Sequence, residues 1–192
     1  MRLFVGIELG EPLAASVNSA AARLRSDLLR GCPDLPVRWV RRDNLHLTVV
    51  FLGEVHDEDA QAVATALELG VDVEPFTLRI AGFGVFPPAP PLRVIWMGIA
   101  QGGRELMLLH EEITARLRTI GHPGEARSYS PHLTIARVGD LPRSDEQAVR
   151  TVVRTATATA QATRIDSVTL FRSQLAPAGA SYEALMRVPL LG

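Results

Sequence analysis

The sequence predicts an α+β fold made from one unit used twice, with a cleft between the two copies. Three observations point there. Short alternating apolar stretches are interleaved with longer stretches of helical periodicity. The order strand, helix, strand, helix, strand runs through twice in 192 residues. The middle strand of each half also carries the same short pattern, His46-Leu47-Thr48-Val49 and His132-Leu133-Thr134-Ile135. Each unit can lay its helices on one sheet face, and two such units pack as an α+β pair. The expected organisation is a single bilobal domain over 1–192, with approximate halves 1–86 and 92–190 and a boundary loop at 82–91.

Residues 2–8 alternate and are rich in Phe, Val and Ile, which predicts a strand. Glu11-Pro12 opens a helix, since an early Pro loses no needed N–H there. Leu13, Val17, Ala20, Leu24 and Leu28 form its apolar stripe, and Gly31 ends it. Residues 32–36 are a Pro-rich loop leading through Arg38-Trp39-Val40 to the first His-x-Thr strand, which Gly53 is expected to stop. Asp57 is placed to cap a helix over 58–69, with Gly70 after it. A strand comes next at 76–80, then the Gly/Pro-rich stretch 82–91.

The second unit begins with a strand at 92–99. Leu106, Leu109, Ile113 and Leu117 make a helical stripe over 103–120, stopped by Gly121. A loop, 121–130, feeds the second His-x-Thr strand. Ser144 is placed to cap a helix near 145–155. Strands are expected at 165–172 and 181–188. The alternation of Thr and Ala over 155–163 leaves that segment's state open.

Composition excludes several functions. The net charge of −1 and pI near 6.5 do not suit a coat for bulk nucleic acid, which needs a strongly basic face. The single cysteine, Cys32, allows neither a disulfide framework nor a Cys-rich zinc site. The first residues reach Glu8 too soon for a signal segment, and no apolar run approaches a membrane span. A cytoplasmic monomer with no membrane partner is expected. All 20 basic residues are Arg. A Walker-type phosphate loop therefore lacks its Lys, and chemistry through a lysyl Schiff base or lysyl-nucleotide is ruled out. Arg still grips phosphate through its planar, permanently charged fork.

Side chains alternate along a strand, so His46 and Thr48 share one face while Leu47 faces the core. The same holds for His132 and Thr134 against Leu133. Two such strands set face to face suit displacement at phosphorus. One neutral imidazole takes a proton from the attacking oxygen, and the other, as imidazolium, gives one to the leaving oxygen. An unperturbed pKa near 6.5 makes both forms available at neutral pH. The threonine hydroxyls can hold the non-bridging oxygens. Arg137, five residues after His132, is the nearest group to stabilise the growing charge. The scheme needs no metal or other cofactor.

A bland reading competes with this. Thr fills 12 of 192 positions, so any one His has about a one-in-sixteen chance of a Thr two places on. Two matches at equivalent places in a repeated unit are much harder to obtain that way. The other histidines lack the context: His56 in a turn and His122 in a loop are expected to be solvated, and His110, mid-helix, to be structural. With two candidate ligands and no third at ligand spacing, a zinc site is not expected.

At these residues the sequence resembles the 2H phosphoesterase superfamily. The flanking Arg38-Trp39-Val40, Phe51-Leu52-Gly53-Glu54-Val55, Arg137-Val138 and Tyr182-Glu183 narrow the likeness to its bacterial and archaeal RNA 2′,3′-cyclic phosphodiesterases, formerly called 2′-5′ RNA ligases. The resemblance implies two antiparallel sheets around a central cleft with helices outside. It implies metal-independent hydrolysis of an RNA-type 2′,3′-cyclic phosphate to a 2′-phosphomonoester, with 2′-5′ ligation as the reverse. His46 would be the proton donor and His132 the proton acceptor. Thr48, Thr134 and Arg137 would bind phosphate, and Phe51 would lie near the base. Strict strand alternation instead puts Phe51 on Leu47's core face. Arg41, Arg42 and Arg127 are candidate RNA contacts. The expected partners are RNA with 2′,3′-cyclic phosphate ends or small cyclic nucleotides. Two alternatives remain: a non-catalytic RNA-end or nucleotide-binding module using the same cleft, and a related activity on another cyclic or 2′-5′-linked nucleotide.

Overall fold

The structure is a computed structural model that describes all residues except 123, 125–127 and 177–178, with the side chains of 175 and 176 also outside the description. Its strands are β1 (Arg2–Glu8), β2 (Val37–Trp39), β3 (His46–Glu54), β4 (Phe76–Phe86), β5 (Val94–Gln101), β6 (Leu133–Val138), β7 (Thr163–Ile165), β8 (Ser167–Ala176) and β9 (Gly179–Pro189). The α-helices are α1 (Leu13–Gly31), α2 (Asp57–Leu67), α3 (Gly103–Arg118) and α4 (Arg143–Thr155). The expected stripes of α1 and α3 are the buried ones, including Leu13, Val17 and Leu24 on α1 and Leu106 to Leu117 on α3. Among the described residues no helix is long and apolar enough to cross a membrane.

The strands form two antiparallel sheets, in the orders β3-β1-β8-β9 and β2-β6-β5-β4-β7. The repeat of the sequence is visible in these orders. β3 and β6, which come after equivalent helices, lie beside β1 and β5. The third strand of each unit crosses over: β4 joins the sheet of β5 and β6, while β8 joins that of β1 and β3. The division into halves 1–86 and 92–190 is thus corrected in space, because each sheet draws strands from both halves. Neither half can satisfy its strand backbones with a complete sheet of its own.

The boundary at 82–91 is corrected for a related reason. β4 runs on to Phe86 and pairs with β5 as a hairpin across that stretch. Gly82, φ +69°, sits at a register shift between Ala81 and Phe83, so it bends the strand without ending it. Gly53, φ +73°, likewise lies inside β3 at a shift where Leu52 is the extra residue. The strand expected at 165–172 is in fact two. Asp166 marks where the chain leaves the sheet of β4 and enters the sheet of β1.

Two caps also differ. Asp57 is the first residue of α2, preceded by His56, and Ser144 lies within α4, with its hydroxyl bonded to Asp145. Among the described residues neither helix has a side-chain cap at its N-terminus. Acidic residues in each first turn favour the positive end of the helix instead.

The hairpin end of β4 is held from α4. The Arg150 guanidinium donates to the Pro87 and Pro88 carbonyls at 3.3 and 2.9 Å and to Glu146, which is 6 % exposed, at 2.7 Å. On the sheet itself, the Trp96 ring lies over Gly84 of the neighbouring strand. A Cβ at Gly84 would fall 2.1 Å from a ring carbon. Gly84→Ala must therefore displace an indole that packs 5.1 Å from Phe86. It is expected to cost about 1–3 kcal/mol, as overpacking does, and to lower the thermal midpoint; an unchanged midpoint would show that the ring has room to move.

Candidate active site

The two motifs occupy equivalent strands. β3 ends its sheet, with β1 as its only strand neighbour among the described residues, and β6 lies between β2 and β5. β3 and β6 approach one another across the space between the sheets. Thr48 lies opposite Gly6 of β1, and Thr134 opposite Trp96 of β5. Leu47, Val49, Leu133 and Ile135 are buried, while His46, Thr48, His132 and Thr134 are partly exposed.

Each strand then breaks its alternation at the same place. The β1–β3 register passes from Gly6↔Thr48 to Val5↔Val50, so Val49 is an extra residue. The β5–β6 register passes from Trp96↔Thr134 to Ile95↔Ala136, so Ile135 is extra. These are β-bulges, and each puts two consecutive residues into the core: Val49-Val50 and Ile135-Ala136. The next residue returns to the face of the threonine. In β3 that residue is Phe51, and in β6 it is Arg137. Strict alternation put Phe51 on Leu47's face; the bulge corrects this. Phe51 lines a cavity of about 670 Å³ together with Thr48, Phe86, His110, Tyr129 and His132. The Arg2 guanidinium lies over the Phe51 ring at 4.9 Å.

Both histidines are held by the same device. His46 Nδ1 lies 2.9 Å from the Asn44 carbonyl, and His132 Nδ1 lies 2.7 Å from the Ser130 carbonyl. A carbonyl only accepts, so Nδ1 carries the hydrogen in both rings. That leaves Nε2 as the working nitrogen. It is a lone pair when the ring is neutral and an N–H donor when the ring is charged. The Asn44 amide in turn donates to the Ala180 carbonyl at 2.7 Å, tying the first motif to β9.

The surroundings of the two rings differ. His46 is packed among Phe4 at 4.7 Å and Tyr182 at 4.5 Å, with Phe171 at 6.2 Å. His132 meets Phe86 edge-on at 4.9 Å and Trp96 at 6.3 Å. Burial holds the His46 imidazole below its usual range, the Asn44 carbonyl works against that, and the charge on Arg137 adds to it. Arg137 is itself exposed and on the partner strand, so its field reaches His46 across the gap between the motifs.

The weaker candidates separate. Arg42 pairs with Glu11 and lines the cavity of about 310 Å³ that also contains His46. Arg41 reaches Asp43 at 4.0 Å with both side chains exposed, an interaction worth little. Arg127 lies outside the described residues. His56 precedes α2. His122 is half-buried, 3.7 Å from Asp59, rather than freely solvated. His110, Tyr129, Phe86 and Trp96 line or border the site, although sequence reasoning assigned none of them to it. The one available signal was the placement of Tyr129 three residues before His132. Among the described residues no three His, Cys, Asp or Glu side chains come together as a metal cage.

Comparison with known proteins identifies the family and the fold. The sequence model of the 2′-5′ RNA ligase superfamily matches residues 11–176. The chain is 30 % identical to a Methanothermobacter thermautotrophicus protein named RNA 2′,3′-cyclic phosphodiesterase, covering 95 % of each. It is 31 % identical to a Thermotoga maritima protein of the same name, covering 96 % of this chain and 93 % of the other. Among solved structures, E. coli LigT complexed with 3′-AMP superposes with a TM-score of 0.71 at 25 % identity, over 100 % of this chain and 98 % of that one. A Thermus thermophilus protein matches with the same score at 26 % identity, over 99 % of this chain and 98 % of its own. By family match, near-full-length relatives and a shared fold, the chain belongs to the 2′-5′ RNA ligase superfamily.

Proposed function

We propose that the protein hydrolyses RNA-type 2′,3′-cyclic phosphates to 2′-phosphomonoesters, without a metal, by paired imidazole acid–base catalysis. The observation that carries this reading is the duplicated histidine device: two rings where equivalent strands begin, each with Nδ1 held by the carbonyl two residues earlier. The relatives' shared name, RNA 2′,3′-cyclic phosphodiesterase, supports the substrate class.

Nε2 of neutral His132 takes a proton from water as its oxygen attacks phosphorus. The P–O3′ bond breaks, and charged His46 gives its Nε2 proton to O3′. Thr48 and Thr134 hydroxyls donate to the non-bridging oxygens, and Arg137 opposes the charge that builds there. The partly exposed Phe51 ring lines the cavity on the motif face with Arg2 stacked on it, which suits a nucleobase. With a 5′-hydroxyl in place of water as the nucleophile, the same groups would join RNA ends through a 2′-5′ linkage, the P–O3′ bond again breaking and O3′ taking the His46 proton. The substrate is an RNA end or a small cyclic nucleotide.

A lowered pKa at His46 favours a second reading in which His46 is the base and His132 the acid. A phosphate bound beside His46 would favour the first reading. Its negative charge offsets both burial and Arg137, and so draws a proton onto His46 when substrate binds.

Turnover of a nucleoside 2′,3′-cyclic phosphate in excess chelator, with a 2′-phosphate product, is the primary test; a product formed only after metal addition removes the scheme. His46→Ala and His132→Ala are each expected to lower kcat by about 10²–10⁴-fold, the usual worth of a positioned acid or base, and full activity in either variant removes that residue from the chemistry. The pH profile tests the division of labour. With His46 as donor, kcat/KM falls as pH rises through the free-protein pKa, below about 6.5. The corresponding limb of kcat then lies higher, because bound phosphate raises the pKa. A kcat limb that does not move up refutes proton uptake by His46 on substrate binding.

A further inference from the structure

We infer that Tyr129, seated by His110, is a strut that sets the spacing between the two His-x-Thr motifs and so positions Thr48 and His132 on one phosphate. The inference rests on the proposed use of this cleft for a phosphate group and deepens it. Tyr129 donates its hydroxyl to the Thr48 carbonyl at 3.1 Å. One residue later, the Ser130 carbonyl receives Nδ1–H of His132 at 2.7 Å. The group that touches the first motif and the group that orients the second histidine are therefore adjacent in the chain. Among the described residues no other side-chain hydrogen bond joins β3 to the segment before β6.

His110 makes the strut stiff. Its ring stacks on Tyr129 with centroids 4.4 Å apart and planes 10° from parallel. Its Nδ1 donates to the Val49 carbonyl at 2.8 Å. Val49 is the bulge residue, and β3 is an edge strand, so among the described residues the Thr48 and Val49 carbonyls have no strand partner on that side. Two side chains thus capture consecutive carbonyls where the strand changes face. A slip there would swing Thr48 away from His132 and turn Phe51 back toward the core. Burial pushes the Tyr129 hydroxyl above its ordinary pKa, so it stays a donor through the working pH range.

Tyr129 and His110 are positioning residues, since neither need touch the reacting atoms. Tyr129→Phe keeps the stacked ring and removes only the hydroxyl. The readout is NMR of both histidine rings titrated with inorganic phosphate, beside kcat, KM and the thermal midpoint. In the unaltered protein phosphate should move both rings. In Tyr129→Phe the His132 shift should fall by half or more while that of His46 persists. kcat should drop about tenfold with KM within about twofold, as a sub-ångström misplacement gives, and the midpoint should hold. His110→Leu should reproduce this loss, and His110→Gln, which keeps a donor for the Val49 carbonyl, should restore most of it. A Tyr129→Phe protein with both shifts and full kcat overturns the strut, as does a loss of kcat that only tracks a lowered midpoint. Because the ring shifts do not require turnover, a protein that shows them but hydrolyses nothing refutes the proposed reaction and leaves the strut standing. If phosphate moves neither ring in the unaltered protein, both proposals fall.

Discussion

The residue inserted after each motif threonine governs which side chains the cleft receives. If β3 alternated strictly through Val49, with no bulge there, it would bury the ring of Phe51 beside Leu47. If β6 alternated strictly through Ile135, Arg137 would face the core, where the desolvation of a guanidinium would be severe. With the insertions, each strand turns three positions to the cleft: the histidine, the threonine and the residue three beyond it. Because β3 is an edge strand, its outward carbonyls at the bulge have no strand partner among the described residues. Tyr129 and His110 supply the missing donors.

A two-fold arrangement of identical groups would give two equivalent histidines, and acid–base catalysis needs inequivalent ones. The symmetry is broken by the downstream residue on each motif strand and by the packing around each ring. The position five residues after His46 is Phe51, and that after His132 is Arg137. Three aromatic rings enclose His46, and that burial depresses its basicity, whereas His132 opens onto the larger cavity. Arg137 sits on the second strand yet acts on the first histidine. In the proposed reaction, the cation that helps lower the His46 pKa is the same group that would attract the phosphate able to raise it again. Proton uptake and phosphate binding would then be linked through one residue pair.

Much of this was legible in the sequence because it depends on local periodicity. The helix stripes of α1 and α3, the motif strands and the shared face of His46 with Thr48 all come from spacings of 3.6 and 2. What escaped depends on partners far along the chain. A bulge is a property of two strands in register, so no feature of Thr48-Val49-Val50 alone announces it. Gly82 looked like a stop because glycine ends strands as well as kinking them, and only pairing with β5 distinguishes the cases. The exchange of β4 and β8 is invisible locally for the same reason. His110 was read as structural, which its bond to Val49 supports, but the site it braces lies 61 residues away in sequence.

The strand exchange explains why the two motifs can be held so closely in step. If each unit had closed its own sheet, the two histidines would be joined only by the loop between units, and their separation would fluctuate with it. Here β8 is hydrogen-bonded beside β1, and β4 beside β5, so each motif's sheet contains chain from both units. Within each sheet, moving the motif strand would require breaking the backbone hydrogen bonds that hold it to its neighbour. The remaining freedom lies at the edge of β3, where among the described residues one side has no strand neighbour. That is where the Tyr129 hydroxyl and the His110 ring are found. Sheet pairing fixes the frame, and two side-chain bonds fix the one edge that pairing leaves loose.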